Sequence, residues 1–279
     1  MRPPASLPPP AACSLYGVDF TSAPSRRKPI VIAQGRWGAG QVVVERFHRL
    51  TTLVAWEAWL QQPGPWVAGL DMPLGLPRAL VHALGWPAQW RALMQHYIAT
   101  PREQLRAQFV EFCAARPVGQ KFAHRVCDGP AGASPAMKWV NPPVAWMLHA
   151  GMPGLLAAGV ALPGLCEGDA QRLALEAYPG LLAREVLGRQ SYKSDAPAKQ
   201  TPERREARQR VLAALEAGQH RLGVPLVLTP EQHAQARDDG SGDTLDALLC
   251  LLQVAWAHTQ PRWGWPDEVD ALEGWILSA

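Results

Sequence analysis

The 279-residue chain has no CxxC pair, and its five cysteines (Cys13, Cys113, Cys127, Cys166 and Cys250) are odd in number and scattered. That argues against a disulfide framework, a disulfide-linked partner and a zinc site, and it suits a reducing, cytoplasmic setting. No GxSxG elbow and no GxxxxGK loop is present, which removes the serine-hydrolase triad and the phosphate-cradling loop of the P-loop enzymes. Charge is scarce too, at 18% of residues against about 25% in ordinary soluble domains. Between residues 141 and 166 there is no Asp, Glu, Lys or Arg, a length that could cross a bilayer. Prolines 142, 143, 153 and 163 and glycines 151, 154, 159 and 164 interrupt that stretch, so it reads as two short helical pieces in a buried αα-hairpin rather than a membrane span. The first twelve residues carry prolines at 3, 4, 8, 9 and 10 and no apolar core, so they read as a disordered, proline-rich leader and not as a secretory signal.

What is present is apolar and rich in indole. Apolar residues make up 48% of the chain, and twelve are tryptophan. A formal charge of +3 is a mild excess that permits a polyanionic partner without requiring one.

The most informative stretch is residues 15–24, LYGVDFTSAP, where an apolar run stops at Asp19 and gives way to turn residues. This is the pattern of a buried strand that delivers a carboxylate to its exposed end, although an Asx cap on the turn would look the same. The pattern returns at Leu70-Asp71, at Leu175-Glu176, and on a helix at Asp243 and Asp246. Between the first two acids, residues 29–33 and 41–50 are rich in β-branched side chains and form a hairpin. Residues 51–62 have helical spacing, and residues 66–70 form a short apolar strand. A helical crossover of this length implies that the first and last of these strands lie parallel. Asp19 and Asp71 would then share the crevice at the strand C-termini, where open α/β sheets bind ligands.

Residues 78–165 read as a mainly helical insertion with a loop at 116–136 that reads as solvated around Arg125, and the core resumes at 166–279 after a first part at 13–77. Within that second part, residues 172–178 form a strand carrying Glu176. A basic helical region from Arg184 to Arg210 follows, with eight Lys and Arg against four acids. A short apolar run at 225–228 and a helix starting at Thr229 lead to a final helix, which Asp243 can cap while Asp246 lies in its first turn. Arg125 in the insertion loop, with Lys193, Arg204 and Arg205 in the basic region, are the candidate phosphate contacts.

Carboxylates gathered at strand ends without a His/Cys set suit hard divalent cations, Mg²⁺ or Mn²⁺. Such ions, bound together with substrate phosphate, support hydrolysis of phosphodiesters. The segments GVDFTSAP, GLDMPLGLP, LEAYPG, GDTLDALLCLLQVAWA and EGWI resemble the domain of unknown function, family 429, a family of predicted nucleases of ribonuclease-H-like fold. The resemblance runs from about residue 16 to 276. It implies a mixed α/β sheet flanked by helices, a nucleic-acid partner, and a metal held by Asp19, Asp71 and a late-helix acid, Asp246 or Asp243. Glu176 would be the fourth ligand; Glu57, on the first helix, reads as a surface residue. Two alternatives differ in class. One is a protein of the same fold that binds nucleic acid or a nucleotide without cutting it. The other is a phosphotransferase related to actin and the sugar kinases, which needs a duplicated domain and a second glycine-rich phosphate turn that the chain lacks.

Overall fold

The apolar run before Asp19 forms the central strand β1 (Ser14–Asp19) in a computed structural model that describes residues 12–279. The proline-rich leader expected at 1–12 thus lies, but for its last residue, outside the described residues. Strands β2 (Ile30–Gly38) and β3 (Gln41–Leu50) make the expected hairpin, with β2 antiparallel to β1. Helix α1 (Leu53–Leu60) starts where Thr52 accepts the amide of Ala55, and returns the chain to β4 (Trp66–Asp71). β4 pairs parallel with β1 in the register Gly17↔Gly69 and Asp19↔Asp71. The other strands are β5 (Val160–Ala161), β6 (Asp169–Glu176) and β7 (Leu226–Val227), and the sheet order is β5-β6-β4-β1-β2-β3-β7.

Because side chains alternate along a strand, each face of the sheet has its own core. Tyr16, Val18, Ile32 and Leu70 point to one face, under α1 and the helices α2 (Arg78–Ala83), α3 (Trp90–Ala99), α4 (Arg102–Ala114) and, after the short α5 (Asp128–Ala131), which packs with Cys127 and Ile276 in a small cluster of its own, α6 (Val144–Ala158). Leu15, Val31, Ala33 and Val67 point to the other, under α7 (Pro179–Leu187), α8 (Pro202–Glu216), α9 (Pro230–Asp238) and α10 (Asp243–Thr259).

Two features differ from the sequence reading. The uncharged stretch at 141–166 is one helix, α6, followed by a strand, and not a hairpin of two helices. Its glycines are points of close approach and not breakers. A Cβ on Gly151 would come within 2.6 Å of Met72 Sδ, and one on Gly154 would crowd Leu60, Glu57 and Trp56 at 3.1–3.2 Å. Pro153 costs the helix a hydrogen bond, and packing against α1 carries it through. Gly159, with φ of 65°, is the residue that ends it. The second difference is the basic region, which is the end of α7, an irregular segment at 188–201, and α8. No helix among the described residues is long and apolar enough to cross a membrane.

Helix α10 positions the site. It is buried on nearly every side, as a helix apolar all round must be. A Cβ at Gly17 would lie 2.0 Å from the Ala247 carbonyl oxygen, and one at Gly69 2.9 Å from that of Cys250. These two glycines, opposite each other on β1 and β4, let the helix backbone rest directly on the sheet. Two residues further along each strand, and therefore on the same face, stand Asp19 and Asp71.

Candidate metal centre

That contact brings the first turn of α10 over the ends of β1 and β4. Ligand oxygens of Asp19, Asp71 and Asp246 all lie within 4.8 Å of one another, so the three carboxylates could hold a metal ion. Asp246 is wholly buried, Asp19 is 7% exposed and Asp71 is half-buried. Asp19 and Asp71 line a cleft of about 1040 Å³, walled by the turn after β1, the start of α6, the segment around Lys193 and the loop at 238–243.

The three acids have different partners. Tyr192 donates its hydroxyl to Asp246 Oδ1, and Lys193 donates its ammonium to Oδ2. The carboxylates of Asp19 and Asp71 make no hydrogen bond or ion pair among the described residues. Burial, and then the repulsion of Asp243, Asp246 and Asp71, push the Asp19 carboxyl far above the usual carboxylate range. Asp71 is pushed up to about 7, by burial first and by Asp246 next. Desolvation of its ammonium opposes the charge on Lys193, but Asp246 and then Tyr192, Asp19 and Asp71 hold it above its usual range. Asp19, Asp71, Asp243 and Asp246 face the ammonium groups of Lys28 and Lys193, which leaves two carboxyl groups without a counter-ion. Buried carboxylates in excess, two of them without donors, form an all-oxygen set that fits Mg²⁺ or Mn²⁺.

Asp243, offered from sequence as a cap and a ligand, does not cap the helix and is not among the three clustered carboxylates. Gly242 is the N-cap of α10, with φ of 80°, and Asp243 is the first helical residue. Its Oδ1 accepts Lys28 Nζ at 2.9 Å, and the same ammonium reaches Asp195 at 2.5 Å. The capping falls instead to Asp239, whose Oδ2 accepts the amide of Thr244 at 2.9 Å and its hydroxyl at 2.7 Å. Burial opposes ionisation of Asp239, but donors from Ser241 and Thr244 hold it below the usual range.

Glu176, expected as the fourth ligand, is on the wrong face. β6 runs parallel to β4 with Glu176 opposite Leu70, one residue short of Asp71, and in a period-two strand that single step reverses the side chain. It points to the face of Leu70 and meets Arg125 across two contacts of 2.6 Å. Its Oε2 also accepts the amide of Leu74 at 2.9 Å. Arg125 is correspondingly no phosphate contact. Buried at 3% exposure, it directs Nε and Nη2 at Asp128, Nη1 and Nη2 at Glu176, and Nη1 at the Glu273 carbonyl, which engages its whole fork. A solvated loop was the expectation there; the structure has an ionic hub joining the insertion, β6 and the tail.

Arg204 and Arg205, also expected to meet phosphate, do not line the cleft. Arg204 donates to the Lys199 carbonyl at 2.6 Å, and Arg205 pairs with Asp238 at 2.7 Å. Of the four cations chosen from sequence, Lys193 alone has its ammonium at the triad. Glu57 is exposed on α1, as read. The sequence reading missed Lys28, Tyr192 and Asp239 as site residues. Tyr192 had a signal, being a lone aromatic in a polar run; Lys28 had none, because its partner Asp243 lies 215 residues away.

No protein-family model, no curated protein and no solved structure matches the chain.

Proposed function

We propose that the protein is a metal-dependent nuclease of ribonuclease-H-like fold that hydrolyses phosphodiester bonds of nucleic acid, as the resemblance to family 429 implies. The observation that carries this reading is the triad itself: an acid on the first strand, one at the end of the fourth, and one on the last long helix, within reach of a common ion. Asp19, Asp71 and Asp246 would hold Mg²⁺ or Mn²⁺. A bound ion supplies Lewis acidity toward a phosphate oxygen and acidifies water.

The chain's own residues do the rest. Lys28, Arg27 and Lys193 line the cleft beside the triad and offer positive charge to the phosphate backbone. Pro73, Pro142, Pro143 and Met147 make its other parts largely apolar, which lowers the local dielectric and strengthens those contacts. The non-catalytic alternative would be favoured if Asp19 and Asp71 were neutralised by arginine, and neither is.

The test is calorimetric titration of Mg²⁺ and Mn²⁺ into the native protein and into the double variant Asp19→Asn/Asp71→Asn, followed by incubation with DNA and RNA oligonucleotides, single- and double-stranded. Saturable binding lost in the double variant, with metal-dependent cleavage by the native protein, is the expected result. Absence of binding by the native protein, with oligonucleotide present as well, rules out the metal mechanism.

A further inference from the structure

Asp246 is engaged on both oxygens, and its two partners differ in how readily they can leave. Tyr192 is buried at 8% exposure, and its backbone carbonyl accepts Arg208 Nη1 at 2.7 Å, so its hydroxyl is fixed in place. The side chain of Lys193 is 42% exposed and belongs to the irregular segment between α7 and α8. Its stem lies across Gly242, where a Cβ would approach to 2.6 Å, so the ammonium reaches the triad from the open side on a four-carbon arm. A divalent cation shared by Asp19, Asp71 and Asp246 needs an oxygen of Asp246 and would stand beside that ammonium. Both the need for the oxygen and the repulsion of like charges act against the Lys193 contact, while nothing acts against the buried tyrosine.

We propose that Lys193 is the triad's resident counter-ion, which holds Asp246 in the absence of a divalent cation, yields its place when the cation binds, and turns its ammonium into the cleft toward a substrate phosphate. The inference rests on the metal reading of the triad and adds an exchange to it. Lys193 is a positioning residue in this scheme: in the resting protein it balances the charge that would otherwise drive the three acids apart. Lys28 is the internal comparison, because its partners Asp243 and Asp195 are not members of the triad.

Two measurements test the exchange, at constant pH and with ionic strength matched by KCl. The first is calorimetric titration of Mg²⁺ into native protein, Lys193→Met and Lys193→Arg. Methionine and arginine both keep an unbranched stem across Gly242, with sulfur in place of the δ-methylene in methionine, but only arginine keeps the competing charge. Lys193→Met should bind Mg²⁺ about tenfold or more tightly than the native protein, and Lys193→Arg should stay close to it. The second needs no variant: lysine-reactive labelling of the native protein, read residue by residue by mass spectrometry. Mg²⁺ should raise labelling at Lys193 several-fold and leave Lys28 unchanged. Binding by Lys193→Met equal to or weaker than native, or labelling of Lys193 unmoved by Mg²⁺ that binds, overturns the exchange and leaves the metal reading standing. Binding by the variant alone supports it. If neither protein binds Mg²⁺, both the metal reading and the exchange fall.

Discussion

Replacing Asp71 by Asn should make the metal-free protein more stable at neutral pH, although it removes a residue of the proposed site. In the folded chain the Asp71 carboxyl is pushed up to about 7 from an ordinary value of 3.8. Between those two values the native state holds a proton that the unfolded state has released, so the free energy of unfolding falls as pH rises through the window and levels off above it. At about 1.4 kcal/mol for each pH interval of one, the cost at pH 8 is at most about 4 kcal/mol. Solvent reaching this half-buried carboxylate reduces it, and about 2 kcal/mol is a reasonable lower figure. Asparagine has nearly the same shape and no charge, so it escapes the cost. Near pH 4, at the lower edge of that window, the two proteins should differ little. The assay is urea unfolding in EDTA at pH 5, 6, 7 and 8. With a slope of about 3 kcal/mol per molar, the variant's midpoint should exceed the native one by about 0.7–1.3 M at pH 8 and by far less at pH 5. Saturating Mg²⁺ should then reverse the order, because the native protein gains binding free energy that the variant has lost. A variant less stable than native at every pH, or one with the same pH slope, would falsify the account of Asp71 as an uncompensated acid.

Three other substitutions separate the parts of the site. Gly17→Ala places a methyl 2.0 Å from the Ala247 carbonyl, so α10 must lift from the sheet; a loss of about 3 kcal/mol or more in urea unfolding is expected, together with loss of Mg²⁺ binding although no ligand is touched. Arg125→Ala leaves Glu176 and Asp128 buried without their cation and should cost about 3–5 kcal/mol, much of which the triple variant Arg125→Met/Asp128→Asn/Glu176→Leu should restore; a triple variant as unstable as the single one would show that the loss does not come from the uncompensated charges. Asp246→Asn should abolish calorimetric binding of Mg²⁺, whereas Asp243→Asn, whose carboxylate belongs to Lys28, should change affinity only a few-fold; equal losses would return Asp243 to the ligand set.

What could be read along the chain was what local chemistry decides. The hairpin, α1, and the acids that end β1 and β4 follow from apolar runs, β-branched enrichment and turn residues within a few positions of one another. So did the direction of β4, since a helical crossover dictates parallel pairing, and with it the meeting of Asp19 and Asp71. One further signal was present in plain form: both strands carry Gly-x-Asp, at Gly17-Val18-Asp19 and Gly69-Leu70-Asp71. On a strand that spacing places glycine and acid on one face, and glycine there means that another backbone crosses the strand beside the acid. The unread part was set by register and by distant partners. Glu176 follows an apolar run as Asp71 does, and only its pairing with Leu70 turns it to the other face. Its cation comes from 51 residues away, in a loop that reads as solvated. The glycines of α6 are equally ambiguous in sequence, because a glycine that breaks a helix and one that admits a neighbour look alike until the neighbour is in place.

The two ionic systems bear differently on function. Where this fold uses an acid for stability, it gives that acid a donor: Glu176 and Asp128 share Arg125, Asp243 has Lys28, Asp270 has Arg78 at 2.5 Å, and Asp239 has two hydroxyls and two amides. Asp19 and Asp71 lie deeper than Asp270 in unfavourable charge and have no such donor. A buried carboxylate without one costs free energy in every molecule that folds, and a neutral residue at either position would remove the cost without disturbing β1 or β4. Stability therefore does not explain these two acids, and the proposed cation from solution would. The stabilising effect expected of Asp71→Asn and the metal affinity expected of the native triad are for this reason one claim, measured from its two sides.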